Sequence, residues 1–246
     1  MPTPEMPTTS SVMGFPVHLF DDYVAWLRLR NQEKKGAHVV TLNPEIIMQA
    51  QENQSFAEIL ENAELVIPDG VGIVFYLWLR RLQIQRCPGI ELAQSMLEVA
   101  GTAPDNWSVF FFGAKPGVAA KAAESWQQKF PNLNLAGTEH GYITPEGEEK
   151  LLATLTQLQP RLILVGLGVP RQEFWIAQHR HLCPEAIWIG VGGSFDIWAG
   201  TKVRAPLWLQ KLQMEWAYRL YQEPWRWRRM LVLPKFAWKA IITLGH

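Results

Sequence analysis

The stretch AELVIPDGVGIVF, residues 63–75, decides the fold. Leu65, Val66 and Ile67 read as a strand buried on both faces, and Pro68 and Gly70 stop it before an apolar helix that begins near Val71. Asp69 therefore stands at a strand's carboxyl end, the edge of an open α/β sheet where ligands bind. A helix N-cap is the competing reading, because Asp is a favoured cap and the helix dipole welcomes its charge.

Outward from this stretch the same unit repeats. AHVVTLN, WSVFFFGAKPG, NLAGTEHGY, RLILVGLG and AIWIGVGGSFD read as strands, and helical segments separate them. Pro44 at a first-turn position and Ser55 as an N-cap open two of the short helices. Strand, turn and helix in alternation predict an α/β fold, a Rossmann-like parallel-rich sheet with helices on both faces. After Gly200 the pattern changes to two helices, about Pro206–Gln222 and Pro224–Thr243. The expected organisation is thus an unstructured stretch over 1–11, a core over 12–200 and a helical appendage over 201–246.

The 246 residues are 48% hydrophobic and 19% charged, enough for one large core. MPTPEMPTTSS has neither a basic start nor an apolar run, so neither a signal peptide nor a membrane span is expected there. Cys87 and Cys183 lack the paired spacing of a zinc site or disulfide framework, which suggests a reduced, cytoplasmic protein. The net charge of zero hides an asymmetry. From Lys202 onward nine basic residues face two acidic ones, a net +7 that leaves −7 on the first 201 residues, and five of the twelve tryptophans lie in the same tail. A basic, Trp-rich end suggests a membrane surface as partner.

Three strand ends carry glycine-rich turns: FFFGAKPGVA (Gly113, Ala114), LVGLGVPRQE (Gly166, Gly168) and IGVGGSFDIWAG (Gly193). Backbone N–H groups and helix starts there suit a nucleotide diphosphate; any one turn alone reads better as a tight strand-to-helix connection, but three on the same sheet edge as Asp69 point to a ligand. GLGVPR lacks the third glycine of a dinucleotide fingerprint and no Walker lysine occurs, which weakens redox and ATP-hydrolysing readings. The six histidines lack HExxH spacing and no DxD pair exists, so no metal is expected.

TLNPEIIMQA, VIPDGVGIV, RCPGIEL, FFFGAKPGVA, VGLGVPRQEFW, GVGGSFDIWAG and EWAYRLYQEPWRW, in this order from about Ser11 to about Met230, resemble the WecG/TagA/CpsF glycosyltransferases. The resemblance implies a cytoplasmic enzyme, peripheral at the inner membrane face, that moves a sugar such as N-acetylmannosamine from a UDP-sugar onto a polyprenyl-diphosphate-linked sugar. Inversion, no metal and no nucleic-acid partner are part of that expectation. It implies a general-base role for Asp69 and a sugar-orienting role for Thr41 and Asn43, whose alternative is turn formation and capping before Pro44. It places Arg86 at phosphate or acceptor, with an ordinary surface arginine as the alternative, and Gln172 at sugar or diphosphate, with a helix cap as the alternative. Tyr142 and Asp196 match uridine positions, stacking and hydrogen bonding respectively, though Tyr142 could equally pack. Arg171 stands where relatives commonly have lysine, so the charge is kept. Arg219, Arg226 and Arg229 match tail arginines that engage phosphate, a role suited to guanidinium forks. A solvated basic helix or a homo-oligomer contact is the alternative for the tail, and Trp216 with Leu220 could pack it onto the core. A nucleotide-dependent oxidoreductase and a non-catalytic membrane-docking scaffold are the competing functions.

Overall fold

A computed structural model describes residues 8–102 and 107–244. The chain opens with a hairpin, β1 (Thr8–Val12) and β2 (Phe15–Leu19), then α1 (Tyr23–Gln32), β3 (Ala37–Leu42), α2 (Pro44–Glu52), α3 (Gln54–Glu61), β4 (Leu65–Pro68) and α4 (Val71–Leu79). It continues through α5 (Gly89–Thr102), β5 (Ser108–Gly113), α6 (Val118–Lys129), β6 (Asn134–Glu139), α7 (Pro145–Leu158), β7 (Leu162–Gly166), α8 (Arg171–His179), β8 (Ile187–Gly190) and α9 (Ser194–Trp198). The tail holds α10 (Leu207–Lys211), α11 (Glu215–Gln222), α12 (Trp227–Met230) and α13 (Val232–Leu244).

Six strands pair in parallel in the order β4-β3-β8-β7-β5-β6, the α/β sheet expected from the alternation. Burial on both faces explains the apolar runs. Successive strand residues serve opposite cores. Val39, Val109, Phe111 and Leu164 pack with α1, α5, α6 and α9, whereas Val40, Phe110, Phe112 and Val165 pack with the helices of the other face. From neighbouring strands β5 and β7 the chain leaves by α6 on one face and α8 on the other. That divergence makes a switch point, and it opens a crevice at the strands' carboxyl ends.

Glycine permits this edge to close up. A Cβ on Gly113, which has φ +130°, would stand 2.5 Å from the Gly166 backbone, and one on Gly166 would meet the Phe195 ring at 2.8 Å. Any side chain at either position would force the turns apart.

Three expectations need correction. Thr8–Val12 is a strand rather than unstructured chain: the Met13-Gly14 turn has both residues at positive φ, which reverses it onto β2. His18 of β2 then accepts the Val66 N–H through Nδ1 at 2.8 Å, so the hairpin covers part of the β4 edge. The cap of α3 is Asn53, whose Oδ1 accepts from Phe56, and not Ser55. The tail is broken into more pieces than two helices, with Gln213 at φ +59° between α10 and α11 and Pro224 after α11. Its last helix rejoins the core through Phe236 and Ala240, both buried, with Phe236 beside Tyr76.

Candidate active site

Two adjoining cavities lie at the carboxyl edge. One of about 200 Å³ is lined by Thr41, Asn43, Asp69, Arg86, Gln172, Arg219 and Arg229. The other, of about 770 Å³, is lined by Ala114, Lys115, Tyr142, Gly166, Arg171, Asp196 and Trp225. Gly168, Gly192, Gly193, Lys202 and Glu223 border both, so one elongated ligand can occupy them together.

Asp69 directly follows β4, where its N–H donates to Leu42 O at 3.0 Å. Gly70, and not Asp69, occupies the N-cap position of α4, and no side chain caps that helix. The capping reading therefore falls. The carboxylate instead accepts the Gly89 N–H and stands 3.9 Å from Arg86 Nε. Burial raises its pKa above 3.8 against the pull of Arg86 and Arg219, and the nearby Glu215 carboxylate adds to the rise. A carboxylate raised by burial and aimed into a cavity is suited to accept a proton.

Arg86 is not a surface arginine. Its Nη2 is ion-paired with Glu215 Oε2, and its Nε is buried without a hydrogen-bond partner among the described residues. A buried guanidinium N–H costs free energy until an acceptor arrives, so this donor points to an anionic or oxygen-rich ligand. Glu215 Oε1 accepts from Arg204 Nε at 3.0 Å, and Arg204 Nη2 donates to Glu91 at 2.6 Å. Burial would raise the Glu215 carboxyl, but the hydrogen bonds from Arg86 and Arg204 outweigh it and hold the group below its ordinary range.

Thr41 is buried at the end of β3 with its methyl against Gly89, where a Cβ would lie 2.4 Å away. Asn43 does cap α2, accepting from Glu45 and Ile46 at 2.9 and 3.1 Å, and it lines the smaller cavity as well. Gln172 braces the glycine turns: its Oε1 accepts from Gly168 and Gly192 at 3.1 and 3.0 Å, and its Nε2 donates to Glu173 Oε1 at 2.9 Å. Two turn N–H groups expected to face an anion are thereby already satisfied. Gly113 lies outside both linings, and its place is the close approach to Gly166. Cations are supplied by side chains instead, Lys115, Arg171 and Lys202 at the larger cavity and Arg86, Arg219 and Arg229 at the smaller.

Arg229 forks onto Glu45 at 2.8 and 2.9 Å, a half-exposed pair worth at most about 1 kcal/mol that a phosphate could displace. The side chain of Arg226 lies outside the described residues. Asp196 stands 3.5 Å from Lys202 Nζ, and Tyr142, 67% exposed, lines the same cavity as Asp196 and the exposed Trp225. Among the described residues no three His, Cys, Asp or Glu side chains converge as a metal site.

Glu215, Arg204, Lys202, Glu173 and Trp225 were not singled out from the sequence. One signal for Glu215 was available, an acidic residue in a strongly basic tail. Glu173 is fully buried and its Oε2 has no partner among the described residues. Burial lifts its carboxyl to about 7, against the pull of the Gln172 hydrogen bond. At neutral pH the group is therefore balanced between its neutral and charged forms, which lessens the cost of a buried charge beside Gln172.

The Glycosyl transferase WecG/TagA/CpsF family model matches residues 10–245. The chain is 37% identical over 230 residues to the N-acetylglucosaminyldiphosphoundecaprenol N-acetyl-beta-D-mannosaminyltransferase of Bacillus spizizenii, covering 92% of this chain and 84% of that one. It is 36% identical over 206 residues to the enzyme of the same name from Bacillus subtilis strain 168, covering 83% of this chain and 79% of the relative. The Staphylococcus aureus MW2 enzyme of that name is 36% identical over 210 residues, which span 85% of this chain and 81% of its own.

Because the folded pKa of Glu173 exceeds its unfolded value of 4.5, its contribution to stability is lost as pH rises from about 4.5 to about 7. Glu173→Gln removes that loss. Thermal melts at pH 5 and pH 8 should show the variant gaining on wild type at the higher pH; a pH-independent difference would mean that Glu173 is not protonated in the fold.

Proposed function

Because the chain belongs to the WecG/TagA/CpsF family of glycosyl transferases, we propose that it transfers an N-acetylmannosamine-type sugar from a UDP-sugar to polyprenyl-diphosphate-linked N-acetylglucosamine. The observation that carries this reading is the Asp69 carboxylate, unspent on any helix cap, beside an Arg86 Nε that has no hydrogen-bond partner among the described residues. On this reading the Rossmann-like sheet holds a sugar nucleotide and not a dinucleotide.

The nucleotide fits the larger cavity, where Tyr142 or Trp225 offers a ring face to uracil, Asp196 an acceptor, and Lys115, Arg171 and Lys202 charge for the diphosphate. The sugar then reaches the Gly168, Gly192 and Gly193 border. An acceptor hydroxyl in the smaller cavity loses its proton to Asp69 as its oxygen bonds to the anomeric carbon, and the bond from that carbon to the diphosphate breaks to release UDP. One displacement inverts the anomeric configuration. Arg86 and Arg219 sit where they can hold the acceptor's diphosphate and offset the charge on Asp69. Side-chain cations take the place of a divalent ion, so no metal is required.

Among the described residues no helix is long and apolar enough to cross a membrane. The acceptor's lipid is reached by peripheral docking. The tail exposes Leu207, Trp208, Trp225, Trp227 and Trp238, while Phe75 and Trp78 of α4 are exposed as well. Aromatic anchoring plus basic charge suits an anionic lipid interface.

Asp69→Asn should lower kcat by about 10² or more with UDP affinity unchanged, the scale of a lost general base. In wild type, kcat/KM should climb with pH through a midpoint above the ordinary 3.8, because only the ionised carboxylate accepts the proton. Equal turnover in variant and wild type at saturating donor would remove the base role. UDP release should persist in excess EDTA; loss reversed by magnesium or manganese would overturn the metal-free mechanism. For docking, Trp208→Ser with Trp238→Ser should weaken sedimentation with phosphatidylglycerol vesicles, and added salt should weaken it further because exposed charges are screened over about 8 Å. Undiminished sedimentation of the double variant would contradict tail anchoring. Point changes serve better here than truncation before Lys202, which would also remove Glu215 and the buried Phe236.

A further inference from the structure

A mainly apolar groove of about 320 Å³ lies between α4 and the α10–α11 connection, lined by Val71, Val74, Phe75, Trp78, Leu82 and Ile84 together with the uncharged Gln83 and Gln213. Helix α4, VGIVFYLWL, carries no charged residue. Phe75 and Trp78 stack at 5.9 Å and are 48% and 57% exposed. A cluster of large apolar side chains left open on a folded surface marks a site of interaction.

Three separate segments run from the smaller cavity to the groove. Asp69, Arg86 and Glu215 line the cavity, while Val71, Ile84 and Gln213, each two residues away along the chain, line the groove. Two residues span at most about 7 Å, so at three points the backbone lining the groove lies within that distance of the backbone lining the Asp69 cavity. Polarity changes across the same step: carboxylates and guanidinium groups lie on one side, and mainly aliphatic and aromatic side chains, with the uncharged Gln83 and Gln213, on the other.

We propose that this groove holds the first isoprene units of the acceptor's lipid chain. The inference rests on the transferase reading above. An acceptor of that class is ordered sugar, diphosphate, lipid, and the protein presents a base at Asp69, a phosphate-binding guanidinium at Arg86, and then the apolar wall beginning at Ile84. A diphosphate at Arg86 would have this wall two residues away along the chain, at Ile84, for its esterified lipid to follow. A groove of this kind selects a prenyl chain by apolar burial, and it draws the chain out of the bilayer at the point where the sugar must meet Asp69.

The test uses the full chain and two soluble acceptors without vesicles, farnesyl-diphosphate-linked and methyl-diphosphate-linked N-acetylglucosamine. Wild type should show a KM for the farnesyl acceptor at least about tenfold lower, as burial of even a few methylenes gives. Phe75→Glu, at an exposed position that the fold tolerates, and Ile84→Glu should raise the farnesyl KM about tenfold while leaving the methyl KM and the donor KM within about twofold. Equal effects on both acceptors would overturn the proposal, as would a wild type indifferent to the lipid. A changed vesicle sedimentation with unchanged farnesyl KM would assign the groove to the bilayer, and a changed oligomeric state with unchanged KM would assign it to a second copy. A benzophenone-tailed acceptor analogue, added without donor, should label residues 71–84; labelling elsewhere would overturn the proposal even if neither acceptor turned over. Failure of wild type to release UDP with either acceptor, together with labelling at α4, would instead count against the transferase reading.

Discussion

The Glu215 carboxylate, buried between Arg86 and Arg204, joins the tail to the sheet. Isolated at that depth, any of the three charges would be costly, and removing one partner of such a set typically costs about 3–5 kcal/mol because the others are left uncompensated. Their arrangement does more than hold α11 down. Glu215 draws one arm of Arg86 toward the tail and leaves Nε in an ion pair with Asp69 at 3.9 Å, with no hydrogen-bond partner among the described residues. The same contact seats Arg219, one turn further along α11, where its charge acts on Asp69. A site assembled this way is complete only when the tail is docked.

On the nucleotide side the constraint is steric. Gly113 and Gly166 let β5 and β7 turn away from each other at contact distance, and Gln172 then fixes the turns after β7 and β8 by accepting from Gly168 and Gly192. A fully charged Glu173 beneath it would add a buried anion at this edge, and burial, by lifting the carboxyl to about 7, lessens that charge. Because the glutamine consumes two N–H groups, the edge depends on Lys115, Arg171 and Lys202 for positive charge more than glycine-rich turns alone suggest.

The sheet was legible because a strand buried on both faces must be a run of apolar residues, and Leu162–Gly166 or Ile187–Gly190 can be read no other way in this alternation. Asp69 was legible as a position, since a strand end followed by glycine fixes where the side chain emerges; whether it capped or reacted depended on which residue the helix took as its cap, and that is a backbone detail. The β1 strand was hidden because Thr8–Val12 carries little apolar contrast and is stabilised by pairing with β2, a contact between segments. The Arg204–Glu91 and Arg229–Glu45 pairs were hidden for the same reason, since they join residues 113 and 184 positions apart along the chain. The tail's breaks are local, but Gln213 at positive φ has no glycine to announce it.

The basic tail is also more divided than its net charge suggests. Arg204 is paired with Glu91 and Glu215, Lys202 with Asp196 and Glu223, Arg229 with Glu45, and Lys239 donates to Gln51. Three of the nine tail cations, Lys202, Arg204 and Arg229, thus meet carboxylates of the body, an attraction that closes the appendage over the sheet edge. Leu207, Trp208, Trp225, Trp227 and Trp238 are left on the outside. Lys211, Arg228 and Lys235 are exposed as well, so the tail divides its charge. Lys202, Arg204 and Arg229 are held inward by Asp196, Glu91 and Glu45, and the remaining exposed cations share the outer surface with the aromatic side chains. The carboxylates of the body thereby keep Arg204 and Arg229 at the cavity that Asp69 lines, where electrostatics alone would have sent every cation of the tail toward the same surface.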